Sequence, residues 1–230
     1  MSRRNKLQKF SELLAFPHVF ENFDAKQPSL VGKDGAKVEL KGQWGAQHFG
    51  NSNPIVLELA CGKGDYTLGL ARRYPNKNFI GVDIKGARIW KGAQMALEEG
   101  LTNVAFLRTR IEQINHFFNA DEVSEIWITF ADPFLRKSKA NRRLTSTNFI
   151  DRYRQFLQKD GTVHLKTDSP ELYEFTLETL AETPNCTLQY QDDDIYAKPL
   201  PLPELAIKTF YETMHLAAGK TIKYVQFNLH

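Results

Sequence analysis

The sequence predicts an α/β fold: a mostly parallel seven-stranded sheet with helices on both faces, closed by a C-terminal antiparallel hairpin. Three observations lead there. Short apolar runs alternate along the chain with stretches of helical pattern. The runs are apolar on both faces, as strands buried between two helical layers are. A glycine-containing turn follows the first complete run directly, where an α/β sheet holds its ligand.

The elements follow in order. Residues 1–53 are polar, with basic side chains early at Arg3, Arg4, Lys6 and Lys9 and with Pro and Gly later. They read as an N-terminal basic arm, with a short helix near Lys6 to Leu14, ahead of a domain spanning 54–230. Ile55 to Ala60 is the first strand, and a helical pattern runs from its turn to Tyr74. Asn78 to Asp83 is the second strand, followed by a helix from Gly86 to Glu99. Val104 to Leu107, Glu125 to Phe130 and Thr162 to Lys166 are the third, fourth and fifth, with helical patterns at 111–118, 147–157 and 171–180. Cys186 to Tyr190 and Ile222 to Leu229 form the closing hairpin, and residues 191–221 are inserted between its strands.

Composition narrows the function classes. The chain has 230 residues, 42% hydrophobic and 25% charged, an ordinary globular balance long enough to bury a core. A formal charge of +3 does not by itself require a nucleic acid; the distribution of charge matters more. The 2 cysteines, Cys61 and Cys186, are far apart and form neither a zinc motif nor a disulfide framework, which predicts a reducing, cytoplasmic setting and no metal. No signal-peptide pattern and no run long enough to span a membrane is present in the sequence.

The chemistry concentrates at strand ends. Glu58-Leu59-Ala60-Cys61-Gly62-Lys63-Gly64-Asp65 joins the first strand to the first helix, and its glycines let the backbone turn sharply beside a ligand. A dinucleotide fingerprint would need glycine where Thr67 stands. A phosphate loop fails too: Gly45 to Gly50 has the glycine spacing, but Asn51 replaces the lysine and the stretch precedes the strand. The segment closely resembles the acidic residue and glycine loop of class I methyltransferases, which have a Rossmann-like sheet and bind S-adenosylmethionine. That ligand carries a sulfonium and an ammonium and no phosphate, so a carboxylate beside the loop is chemically apt. The resemblance places Glu58 by the methionine moiety and passes Gly62 and Gly64 close to the cofactor. Asp83, ending the second strand, suits the two ribose hydroxyls; capping the next helix is its competing role. At the adenine end the class often has Asp, whereas Arg110 stands here and cannot accept a hydrogen bond. Backbone groups of Arg110 and Ile111 are the expected contacts instead.

After the fourth strand comes Phe130-Ala131-Asp132-Pro133-Phe134, with five basic residues within Arg136 to Arg143 and then Leu144. This segment resembles the signature of the tRNA (guanine-N7-)-methyltransferase family, a Phe-x-Asp-Pro-Trp stretch followed by basic residues and Arg-Arg-Leu. His164-Leu165-Lys166-Thr167-Asp168 and Thr209-Phe210-Tyr211-Glu212 resemble two further motifs of that family, in the family's order. Ala60, Phe134 and Arg110 depart from its usual glycine, tryptophan and acid. The resemblance implies transfer of a methyl group to N7 of a guanine in the variable loop of tRNA. It assigns Asp132 to the space between cofactor and base, as catalytic residue and cofactor contact, and Arg136 to the RNA. Asp168, Thr209, Tyr211 and Glu212 would form the substrate side. Phe134 and Tyr211 are candidates to stack on an extruded base, and Arg142 and Arg143, with the basic N terminus, would follow phosphates. Guanine N7 has an in-plane lone pair and no proton to lose, so positioning and electrostatics suffice without a general base. A class I methyltransferase with another substrate and an RNA-binding protein with a decayed cofactor site remain the alternatives. A monomer and a homodimer are both compatible with the sequence.

Overall fold

The computed structural model describes residues 5–230, apart from the side chains of Lys6 and Leu7, so the expectations for Arg3 and Arg4 lie outside the described residues. The chain divides into two compact units, residues 1–119 and 120–230.

The first unit opens with α1, Lys6–Leu13, started by a capping box between Asn5 and Gln8. Strands β1 (Val19–Glu21), β2 (Leu30–Val31) and β3 (Lys37–Val38) follow, then β4 (Ile55–Leu59), α2 (Asp65–Arg73), β5 (Asn78–Asp83), α3 (Gly86–Glu98) and β6 (Val104–Arg108). The strands lie in the order β3-β2-β1-β6-β5-β4. β4, β5, β6 and β1 are parallel neighbours, and β2 and β3 continue antiparallel from β1. Every residue of β4 and β5 is buried, which is why they read as continuous apolar runs and not as alternating ones. Between β3 and β4 a π-helical turn, Trp44–Phe49, buries Trp44, whose indole N–H donates to the Phe117 carbonyl at 2.8 Å.

The second unit contains β7 (Val123–Thr129), α4 (Thr147–Tyr153), β8 (Leu157–Thr167), α5 (Pro170–Glu182), β9 (Cys186–Asp192), α6 (Phe210–Ala217) and β10 (Lys223–Leu229). β7 and β8 are parallel, and β10 lies antiparallel between β8 and β9. This is the expected closing hairpin, and α6 belongs to the segment inserted between its strands. Ser169 caps α5 from outside while Pro170 occupies its first turn, where a missing N–H costs nothing.

The strand count is corrected from seven to ten among the described residues. The additional strands are β1, β2 and β3, of three, two and two residues, within the stretch read as an arm. Strands so short carry no periodicity to read. They exist because β6 offers an open edge, against which Val19, Phe20 and Glu21 pair with Phe106, Leu107 and Arg108. Among the described residues no helix is long and apolar enough to cross a membrane.

Candidate functional site

In the first unit the turn after β4 is left-handed at Ala60 (φ 59°), Gly62 (φ 59°) and Gly64 (φ 73°). Gly64 must be glycine for packing, since a Cβ there would lie 2.6 Å from the Phe106 ring; at Gly62 the same atom would meet nothing within 4 Å, so the space above it is open. Asp83 reaches across from the end of β5, and its Oδ2 accepts from the Gly62 N–H at 2.9 Å while Oδ1 accepts from Lys85 N–H at 2.7 Å. The N-cap of α3 is Lys85 and not Asp83, so the capping alternative for the carboxylate gives way to a turn contact. Each Asp83 oxygen keeps a lone pair for a further donor. Glu58 is buried within β4, and one oxygen accepts from both the backbone N–H (2.8 Å) and the hydroxyl of Thr67. Thr67, which excludes the dinucleotide fingerprint, thus holds this carboxylate in place.

The turn sits in a negative field. The buried Cys61 thiol is pushed well above its ordinary range, first by burial and then by the charges of Glu58, Asp83 and Asp65. Carboxylates so disposed repel a phosphate and attract a cation, and with the open space above Gly62 they fit a sulfonium-bearing nucleoside. Further along the same strand ends a cleft of about 170 Å³ is lined by Asn22, Phe23, Ala25, Ile84, Arg108, Thr109, Arg110 and Gln113. Arg110 caps the 3₁₀ turn Ile111–His116 and is exposed, with Ile111 half-buried beside it.

In the second unit Asp132 is exposed just past β7, and its Oδ1 accepts from the Phe134 N–H at 2.9 Å in an Asx turn. Phe130 (φ 52°) and Phe134 (φ 42°) flank it in the left-handed region, which bulky residues rarely occupy and which concentrates where a site is held under strain. The two arginines of the basic motif part company. Arg142 is exposed and lies over the Phe134 ring at 4.7 Å. Arg143 is buried; it donates to the carbonyls of Pro133 (2.9 Å) and Phe134 (3.2 Å) and stacks on Phe175 at 4.4 Å. Arg136 is exposed at the start of the 3₁₀ turn Lys137–Arg142.

Asp168, beyond β8, is paired with Lys220 at 2.6 Å and His215 at 3.4 Å. His215 also stacks on Phe130, with centroids 5.9 Å apart. Thr209 and Glu212 form the capping box that starts α6. Both are buried: Glu212 is 0% exposed and pairs with the equally buried Lys166 at 2.7 Å, while the Tyr196 hydroxyl donates to it at 2.7 Å. Lys166 also donates to the Leu205 and Ile207 carbonyls; burial lowers its pKa, and Glu212 works against that shift. Tyr211 by contrast is exposed, alongside Phe210 and Met214 of the same helix. Sequence reasoning missed Lys166, His215 and Lys220 as partners of the site. Only Lys166 left a signal, a lysine next to Leu165 at the carboxyl end of a strand expected to lie inside the sheet.

Comparison with known proteins places these features in context. The family described as "Putative methyltransferase" matches residues 52–225. The tRNA (guanine-N(7)-)-methyltransferase of Bacteroides thetaiotaomicron is 48% identical over 226 residues, covering 98% of this chain and 86% of that protein. That of Christiangramia forsetii is 48% identical over 230 residues, 100% of both chains. Among solved structures, the 16S rRNA methyltransferase KamB matches with a TM-score of 0.61 at 13% identity, covering 90% of this chain and 98% of that one, a likeness of fold.

Proposed function

The chain belongs to the tRNA (guanine-N7-)-methyltransferase family and transfers a methyl group from S-adenosylmethionine to guanine N7 of tRNA; we propose that the guanine lies in the variable loop and that the residues above divide the work as follows. When bound, S-adenosylmethionine supplies an electrophilic methyl on a cationic sulfonium. Glu58 and Asp83, with Asp65, hold the cationic end by their field. The remaining lone pairs of Asp83 take the ribose hydroxyls. Gly62 leaves room for the nucleoside, Gly64 lets the turn enter α2, and the backbone at Arg110 and Ile111 faces its base.

On the substrate side Asp132 is the catalytic residue. Its Oδ1 is fixed by the Phe134 N–H, and the carboxylate accepts from guanine N1–H and the exocyclic amine, orienting N7 toward the cofactor. The same charge opposes the positive charge that develops on the ring, so it favours the transition state over the ground state. No proton moves, because N7 has none. Arg136 and Arg142 meet the RNA backbone. Asp168, held by Lys220 and His215, supports the base or the loop facing it. Thr209 and Glu212 contribute by fixing α6, whose exposed Tyr211 meets the nucleotide.

The observation that carries the cofactor assignment is the cluster of three carboxylates, Glu58, Asp65 and Asp83, around an open left-handed turn. The substrate assignment rests on the family. The test uses unmodified tRNA transcript and radiolabelled S-adenosylmethionine, with N7-methylguanine mapped through its alkali-labile ring. One labelled guanine in the variable loop is expected. Label at a guanine elsewhere would overturn the loop assignment, and loss of activity without loss of cofactor binding in Asp132→Asn is expected of the catalytic carboxylate.

A further inference from the structure

The adenine end is where this chain departs from its class, because the side chain of Arg110 offers no acceptor to an exocyclic amine. The structure supplies other groups there. β1 runs parallel to β6 with Glu21 opposite Arg108, so the residues after β1 arrive at the same carboxyl edge as Thr109 and Arg110. Asn22, Phe23 and Ala25 therefore form one wall of the cleft, and Ile84, Thr109, Arg110 and Gln113 belong to the same lining.

The amides in that cleft are wired in one sense. Asn22 Nδ2 donates to the Thr109 hydroxyl at 3.1 Å and to Gln113 Oε1 at 2.9 Å, while Asn22 Oδ1 accepts from the Ser29 N–H at 3.3 Å. Gln113 Nε2 donates to the Ala25 carbonyl at 2.9 Å. Flipping the Gln113 amide would set donor against donor and oxygen against oxygen, so its orientation is fixed. After these bonds the Gln113 carboxamide keeps one N–H and one lone pair. Adenine presents the complementary pair, an amine donor beside a ring-nitrogen acceptor, which a carboxamide meets bidentately. The apolar requirement is met as well. Phe23 is 61% and Ile84 51% exposed, two large side chains left uncovered in one cleft. Arg108 steadies both, its guanidinium 5.7 Å from the Phe23 ring and its Nε on the Ile84 carbonyl at 3.3 Å.

We propose that Gln113, oriented by Asn22, reads the adenine of the cofactor and that Phe23 and Ile84 cover the ring. This rests on the cofactor reading of the Gly62–Gly64 turn. The acceptor role that an acid fills elsewhere in the class passes here to a carboxamide, and the N-terminal segment becomes part of the cofactor site.

The test is calorimetric titration with S-adenosylhomocysteine and with S-inosylhomocysteine, in which the amine is a carbonyl and the ring nitrogen carries a proton. The wild type is expected to prefer the adenosyl ligand by roughly ten- to a hundredfold, the discrimination of one bidentate pair. Gln113→Ala is expected to weaken S-adenosylhomocysteine about tenfold and to abolish the preference, and Gln113→Glu to lose most of the preference, since a carboxylate only accepts. Phe23→Ala should weaken both ligands alike and leave the preference intact. Melting of each free variant establishes that it folds. If Gln113→Ala and Gln113→Glu both fold and keep the wild-type preference, the inference is overturned while the cofactor reading stands. If the wild type binds neither ligand, the cofactor reading itself falls.

Discussion

Ala60 shows how a single position carries both a family departure and a physical cost. It stands where the family usually has glycine, and its φ is 59°, in the left-handed region that penalises any Cβ. The strain of about 1–2 kcal/mol exceeds the extra backbone entropy that a glycine loses on folding. Ala60→Gly is therefore expected to stabilise the protein by roughly 0.5–1 kcal/mol, read as a higher urea midpoint at unchanged slope. A lower midpoint would show that the Ala60 methyl makes packing contacts worth more than the strain. Glu58 and Asp83 illustrate the other side of this scale. Their identities and positions were legible, because an acid beside a glycine turn and an acid at the next strand end are local patterns. That Thr67 holds Glu58, and that Asp83 ties down Gly62, follows only from the folded chain.

The segment from Phe130 to Arg143 behaves as one element, although its only regular stretch is the 3₁₀ turn Lys137–Arg142. Its turn is held at Asp132 by a side-chain bond, at Phe134 by a left-handed backbone, and at both Pro133 and Phe134 by the buried Arg143. Adjacent arginines stand in different surroundings and are therefore expected to do different work, which a salt titration separates. Arg142→Ala should weaken tRNA binding and shallow its logarithmic salt slope by about 0.7–0.9, one phosphate contact. Arg143→Ala should leave the slope in place and lower kcat, because Asp132 loses its support, with Arg143→Lys restoring little since the forked geometry is lost. Equal slope changes for both variants would return Arg143 to the RNA interface. In α6 the same division appears. Thr209 and Glu212 face inward and start the helix, while Tyr211, between them in sequence, faces out.

At the scale of the whole molecule, stability is expected to depend on pH through two histidines held in the neutral form, the buried His18 and the half-buried His48. His48, in the π-helical turn, packs against Phe20 and Phe49, with ring centroids 4.9 and 4.6 Å away. Burial, with a smaller contribution from His18, lowers its pKa to about 4. Burial lowers the pKa of His18 as well, against the pull of its bond to the Ala93 carbonyl. Above about pH 6.5 both folded and unfolded chains carry neutral imidazole at these positions. As pH falls from there the unfolded chain takes up protons that the folded one refuses, so stability is lost, and for His48 the loss ends near pH 4. For His48 the whole effect is at most roughly 3 kcal/mol. Urea midpoints measured between pH 7.5 and 4.5 should fall less for His48→Gln than for the wild type. Parallel curves for the two proteins would remove His48 from the acid response.

The sequence by itself determined seven of the strands, the glycine turn after β4, the place of Asp83 at the end of β5 and the basic motif after β7, because apolar periodicity, turn chemistry and motif spacing are properties of neighbours along the chain. It did not determine β1, β2 and β3, whose two or three residues acquire strand geometry through pairing that begins at the edge of β6. Nor did it tell Arg142 from Arg143, or Tyr211 from Glu212, since which of two neighbours turns inward depends on what distant residue waits there: Phe175 for one, Lys166 for the other. Asn22 and Gln113 meet across ninety-one positions of sequence, and no local pattern announces such a pair. Composition and spacing specify which elements can form; burial, pairing and side-chain direction are decided by contacts between residues far apart, and those exist only once the chain has folded.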